Sequence, residues 1–314
     1  MDRTLLKKAA SSGATKGWDG FLWILKILYP ISLGIALLDW SGVVHRIDFL
    51  LQPILSLLSL PAMAALPLMI GMVAGIYPGS AAMVVLPFTK AQMTLMAIFM
   101  MICHGLIQEG VIQGKSGLHP LKATLFRLGA AVVTVMAVAP FLDNSTTVVN
   151  PAGSAGTISR SFMGLLQNWA FSTSILTLKI LAIIMGVMIL LEIFKVMGWI
   201  RYIIVLLTPL LRLMGLTEKV GLLWITGAIF GLSYGAVVIV EEGKQGHISK
   251  EDLEDLHLSI GINHSIIEDP LFFMSLGLSA FWVWVPRLIV AILAVRLSRL
   301  WQKGDHRQKR NPLR

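Results

Sequence analysis

Gly261-Ile262-Asn263-His264-Ser265-Ile266-Ile267-Glu268-Asp269-Pro270 is a polar cluster set inside an otherwise apolar run. The same layout occurs 160 residues earlier, as Cys103-His104-Gly105-Leu106-Ile107-Gln108-Glu109. In each copy a His is followed five residues later by a carboxylate, with an amide or an acid at the fourth position. Ionisable side chains at membrane depth cost several kcal/mol and face a cavity or a partner. An apolar chain that carries such a group twice, in one arrangement, is built around it.

The surroundings of both copies are those of a membrane protein. Of the 314 residues, 56% are hydrophobic and 14% are charged, against about 25% charged in soluble domains. The mean hydropathy is +0.77. The net charge of +9 gathers at the two ends and in a few connecting loops. No basic segment is interleaved with stacking aromatics, so nucleic acid is not an expected partner. A single cysteine excludes an internal disulfide and any all-Cys metal site. The first apolar run, from Phe21 to Leu38, follows Lys7, Lys8 and Lys16 without a small-x-small cleavage site and reads as a retained transmembrane helix.

Runs near the 20 residues needed to span a bilayer fall at about 20–42, 62–87, 91–112 and 120–142, then again at 174–198, 219–240, 253–276 and 277–298. Residues 46–60 and 200–216 are too short and too interrupted to span, and read as interfacial amphipathic helices. At an offset of 156, Gly42 falls on Gly198 and Leu50-Leu51-Gln52-Pro53 on Leu206-Leu207-Thr208-Pro209. Gly71, Gly75 and Gly79 fall likewise on Gly227, Gly231 and Gly235. At an offset of 160, His104 falls on His264, Glu109 on Asp269, and Arg127-Leu128 on Arg287-Leu288. The chain is therefore an internal duplication. Its expected organisation is a cytoplasmic segment at 1–19, a first repeat at 20–142, an external linker at 143–173, a second repeat at 174–298 and a basic cytoplasmic tail at 299–314.

Lys and Arg accumulate on the cytoplasmic side of membrane proteins. Both ends are basic, as are the loops at 114–127 and 195–219, while the central linker carries one Arg and one Asp. Both termini are therefore expected inside, and each half crosses an odd number of times, so the halves have opposite orientation. The fold class is all-α and polytopic: two inverted-topology repeats with interrupted or re-entrant helices, a transporter architecture with its site where the halves meet. Four apolar runs per half and an odd number of crossings require one run in each half to re-enter without crossing. The sequence does not say which.

Gly71, Gly75 and Gly79, with Gly227, Gly231 and Gly235, place glycine on one helical face. Close helix packing and a broken helix lining a cavity both use that spacing. Pro78 and the polar groups near the third glycine favour a break at Gly79 and at Gly235. Positions i and i+4 share a helical face, so His264 is expected to point with Glu268, and His104 with Gln108, while Asp269 and Glu109 lie alongside. Imidazole plus carboxylate, with Cys103 and Asn263 nearby, is a first coordination shell for a divalent transition metal. The same groups relay protons or bind a polar solute such as a nucleoside. A packing lock between the halves explains them as well. Arg127 and Arg287, which match across the repeat, read as snorkelling anchors at helix ends ahead of counter-charges to the acidic cluster. No Walker loop, dinucleotide fingerprint or Gly-x-Ser-x-Gly elbow is present, so no enzymatic activity is expected.

The Gly-rich run followed by Asn263-His264-Ser265-Ile266-Ile267-Glu268-Asp269-Pro270 resembles the Gate, or "nucleoside recognition", family. That family includes spore-maturation membrane proteins and the paired Gate regions of Feo-type ferrous-iron permeases. The first half departs from the pattern, with Cys103 for Asn and Gln108-Glu109 for Glu-Asp. The resemblance implies a solute-transport or gating role in a bacterial inner membrane and does not fix the cargo; no Feo-type GTPase domain is present and no cofactor is expected. The recurrence of His and carboxylate, with few stacking aromatics near them, places a divalent metal such as ferrous iron ahead of a nucleoside as the small polar or ionic solute. The tentative metal ligands are Cys103, His104, Glu109, His264, Glu268 and Asp269. Expected partners are membrane lipid and the solute or metal ion, with a second copy or a paired Gate-family subunit left open. A non-transporting membrane scaffold is the reading from a different class.

Overall fold

The computed structural model describes residues 3–41, 52–115, 117–142, 161–217, 220–221, 223–225, 227–228, 239 and 248–310. Among these the secondary structure is helical and no strand forms, as the composition requires. In the first half, α1 is Arg3–Trp40, α2 is Ala65–Ala74, α3 is Ile76–Val85, α4 is Lys90–Ile102, α5 is Leu106–Lys115 and α6 is Pro120–Val138. In the second half, α7 is Phe162–Val196, α8 is Ile200–Met214, α9 is Lys250–Asn263, α10 is Glu268–Ser275 and α11 is Ala280–Arg310. Helix α1 thus takes in most of the segment at 1–19, α7 begins inside the linker expected at 143–173, and α11 runs on into the tail. Gly231 and Gly235 lie outside the described residues.

Helices α1 and α7 occupy equivalent positions of the two repeats, and they pack antiparallel. Near one end, Lys16 pairs with Glu192 at 2.7 Å, and a Cβ on Gly13 would stand 2.6 Å from the Ile189 Cα. Toward the other end, the Tyr29 ring meets Trp169 edge-on at 6.1 Å. Numbers rise along α1 as they fall along α7. Equivalent helices running in opposite directions are what an inverted repeat requires.

The Gly-rich run of the first half turns back on itself. Residues 71 and 79 of an unbroken helix lie about 12 Å apart. Here a Cβ on Gly79 would sit 2.7 Å from the Gly71 Cα. The reversal is at Gly75, whose φ of 105° suits glycine. This corrects the expected break at Gly79. Pro78 falls in the first turn of α3, where its missing N–H is one the helix leaves unbonded anyway. The hairpin α2–α3 turns back as the expected re-entrant element of this half would, and it packs on Met100 of α4.

Among the described residues three helices are long and apolar enough to cross a membrane: Lys90–Lys115, interrupted between α4 and α5, then Pro120–Phe141 and Ala280–Gln302. Helix α4 opens on a capping box of Thr89 and Gln92 and is buried on every side from Met93 to Ile102, as a helix apolar all round must be. Helices α9 and α10 form the matching interrupted pair. They are separated by the turn 264–267. Gly261 lets α9 pass close to α6, since a Cβ there would lie 3.3 Å from the Arg127 Cδ. The two interrupted helices therefore meet at the centre of the fold. Charged groups tie one end of the molecule. Lys122 bonds Glu254, while Arg299 bonds Asp252 at 3.2 Å and Asp255 at 2.7 Å.

Candidate metal centre at the crossing of the interrupted helices

Each interruption follows one plan. Helix α4 ends at Ile102 and α9 at Asn263, each just short of its His. The residue after the His takes a left-handed backbone, Gly105 at φ 54° and Ser265 at φ 50°. A new helical turn then opens, with Glu109 N–H donating to Gly105 O at 2.9 Å and Asp269 N–H to Ser265 O at 3.3 Å. The first turns of α5 and α10 carry their acids at helix N-termini, where the backbone dipole favours negative charge.

A broken helix frees carbonyls that no water can satisfy inside a bilayer. Two buried arginines satisfy them. Arg127 donates from Nε to Ile102 O at 2.8 Å and from NH2 to His104 O at 2.9 Å. Arg287 repeats this on Ile262 O, at 3.0 and 2.8 Å, and on His264 O at 3.0 Å. Both are 1% exposed, so the snorkelling-anchor reading is corrected: these are internal caps. Trp284 adds a bond from Nε1 to Ile266 O at 2.7 Å.

The imidazoles face each other across the crossing. His104 Nε2 lies 3.1 Å from His264 Nε2, and Glu109 Oε1 lies 3.3 Å from the first and 3.1 Å from the second. Each Nδ1 stands against a backbone carbonyl one turn back, Met100 O at 2.9 Å and Ile260 O at 3.1 Å. A carbonyl only accepts, so each Nδ1 carries a hydrogen, and each ring turns its Nε2 inward. The other Glu109 oxygen is 2.6 Å from Arg127 NH1, an ion pair off the hydrogen-bond axis. Two ring nitrogens and one carboxylate oxygen thus converge on one point. A metal about 2.0–2.1 Å from each of three tetrahedral ligands holds them ~3.3 Å apart. The triangle matches that spacing, and the carbonyls behind both rings are the outer contacts that fix metal-binding histidines.

The structure brings His104, Glu109 and His264 together, the one such grouping of metal-ligating side chains among the described residues. Cys103 is buried, but it and the acids Glu268 and Asp269 stand outside the group. Gln108 is exposed. The i, i+4 pairing of His104 with Gln108, and of His264 with Glu268, fails because the helix ends just before each His. Glu268 bonds the Tyr77 hydroxyl on the hairpin instead. Asn263 donates from Nδ2 to Arg287 O at 3.3 Å, a tie between α9 and α11. Gly71 O accepts from Gly105 N at 3.1 Å, so the hairpin holds the break in α4–α5 directly. Helical residue Ala228 does the same in the second half, accepting from Ile266 N at 2.8 Å. Gly227, beside it, lies close under Ile260. Sequence reasoning missed Tyr77 and put the anchor reading of the arginines ahead of the counter-charge one, which Arg127 bears out against Glu109. The repeat-matched spacing of Arg127 and Arg287 from their histidines was the signal available.

No family model matches the chain, and no solved structure matches it. Over 301 residues, 95% of this chain and 96% of the relative, it is 24% identical to the uncharacterized membrane protein YvoD of Bacillus subtilis (strain 168). With that relative along almost its whole length, and with apolar helices of spanning length, the chain is a membrane protein.

Proposed function

We propose that the chain is a Gate-type permease of the bacterial inner membrane, both termini cytoplasmic, that moves a divalent transition metal such as ferrous iron through the His104–Glu109–His264 site. One observation carries the reading. Two ring nitrogens and one carboxylate oxygen meet 3.1–3.3 Å apart at the crossing of two interrupted helices, with each ring's Nε2 turned inward. A bound cation would engage all three atoms at once, and two nitrogens with one carboxylate oxygen suit iron, manganese or zinc. The inverted repeat supports transport rather than catalysis, because it offers two related conformations around one central site.

The test is uptake of Fe²⁺, Mn²⁺ and Zn²⁺ into proteoliposomes, with a nucleoside alongside, by the unaltered chain, His104→Ala and His264→Ala. Metal uptake that falls at least about tenfold in either variant, as loss of a metal ligand or its support does, is the expected result. Uptake of the nucleoside alone replaces the metal reading. Uptake of neither favours a non-transporting scaffold.

A further inference from the structure

The two halves match in backbone and in arginine capping, yet they differ at the carboxylate. Glu109 reaches the histidines, and its second oxygen pairs with Arg127. Its counterpart Asp269, at the same place in the first turn of α10, does neither. Asp269 is 4% exposed and Arg287 1% exposed, and among the described residues Asp269 Oδ2 and Arg287 NH1 have no hydrogen-bond partner. Glu109 Oε2 also lacks a hydrogen bond, but it stands 2.6 Å from Arg127 NH1 as an ion pair, and among the described residues no such ion pair joins Asp269 to Arg287. One buried carboxylate oxygen and one buried guanidinium nitrogen left without a hydrogen bond are costly. They become economical when another state of the molecule uses them.

We propose that Asp269 is the alternate carboxylate ligand of the cation, replacing Glu109 when the two halves exchange conformations. This rests on the metal reading above. In the state seen here the ion is held by His104, His264 and Glu109, and Arg127 steadies Glu109. In the exchanged state Glu109 withdraws, an Asp269 oxygen takes its place beside the same two histidines, and Arg287 NH1 closes on the second Asp269 oxygen. One metal–oxygen contact breaks as another forms, so the ion always has a carboxylate and two imidazoles. Glu268 stays outside the exchange, held by Tyr77 on the hairpin. That hairpin is also bonded to the broken helix of the first half through Gly71 O. Its movement is thereby linked to both carboxylates.

The experiment measures Co²⁺ binding by purified full-length protein in detergent, from the visible absorption of the bound ion, and Co²⁺ uptake into proteoliposomes. Glu109→Gln is expected to weaken binding at least about tenfold. Asp269→Asn is expected to bind Co²⁺ within about threefold of the unaltered chain while uptake falls at least about tenfold. Uptake by Asp269→Asn at the unaltered rate overturns the proposal. So does an equal loss of binding and uptake, because Asp269 would then act in the state already seen. Absence of Co²⁺ binding by the unaltered chain overturns the metal reading itself, a separable result. Asp269→Ser is read the same way should the Asn variant not give monodisperse protein.

Discussion

At the scale of single residues, the arginines carry the structure of the site. A guanidinium offers five donors in a fixed fork, and an ammonium cannot span the same carbonyls. Arg127→Ala strands Ile102 O and His104 O and leaves Glu109 without its counter-charge. It should lower stability by about 3–5 kcal/mol, as removal of one partner of a buried pair does, and metal binding should fall with it. Arg287→Ala strands the matching carbonyls but no paired acid, so its loss should be smaller, ~2–3 kcal/mol. Thermal unfolding of both variants in detergent checks the order. Equal losses would contradict the asymmetry between the halves. The histidines and carboxylates were legible in the sequence because ionisable groups are scarce in apolar runs, which made their recurrence unmistakable. The correct partners were not. Helical spacing joined His104 to Gln108, whereas the left-handed Gly105 breaks the helix and turns Glu109 inward. Nothing in the sequence marks Ser265 as left-handed, since serine has no preference for that region.

At the scale of elements, the hairpin α2–α3 depends on two glycines for different reasons. Gly75 needs its positive φ, and Gly79 needs the absence of a Cβ against the Gly71 backbone. Gly75→Ala should cost about 1–2 kcal/mol in backbone strain. Gly79→Ala should cost more and separate the two arms, because its close neighbour is backbone that cannot yield. Thermal unfolding ranks the pair, and faster proteolysis at the hairpin in Gly79→Ala alone tests the separation. Tyr77→Phe removes the hydroxyl that holds Glu268 and should cost ~1–2 kcal/mol for the bond left unmade. The glycine period announced a special run, but Gly-x3-Gly serves packing and breaking alike. Pro78 drew attention to the wrong glycine because proline sits comfortably in the first turn of the helix after a break.

At the scale of the whole molecule, the antiparallel pairing of α1 with α7 and the ion pairs at one end fix which connections lie together. Lys122 at the start of α6, Glu254 at the start of α9 and Arg299 near the end of α11 meet at one end. The duplication was legible as an offset in the sequence, and loop charge gave the inversion, while the interlocking of the halves depended on close approaches such as Gly261 against Arg127. By the positive-inside rule we propose that this end faces the cytoplasm. The orientation is tested by single cysteines in a Cys103→Ser background, labelled in sealed vesicles with an impermeant maleimide. Lys7→Cys, Lys115→Cys and Lys250→Cys, all exposed, should react from the cytoplasmic face, and Ser161→Cys and Ser279→Cys from the other. A uniform reversal would overturn the charge argument and leave the fold untouched, because the pairing of α1 with α7 does not depend on which face is inside. Reaction of Lys115→Cys and Lys250→Cys from opposite faces would break the inverted repeat itself. The two interrupted helices would then cross the membrane in the same direction, and the left-handed turns after His104 and His264 would lose the two-fold relation that brings the imidazoles together.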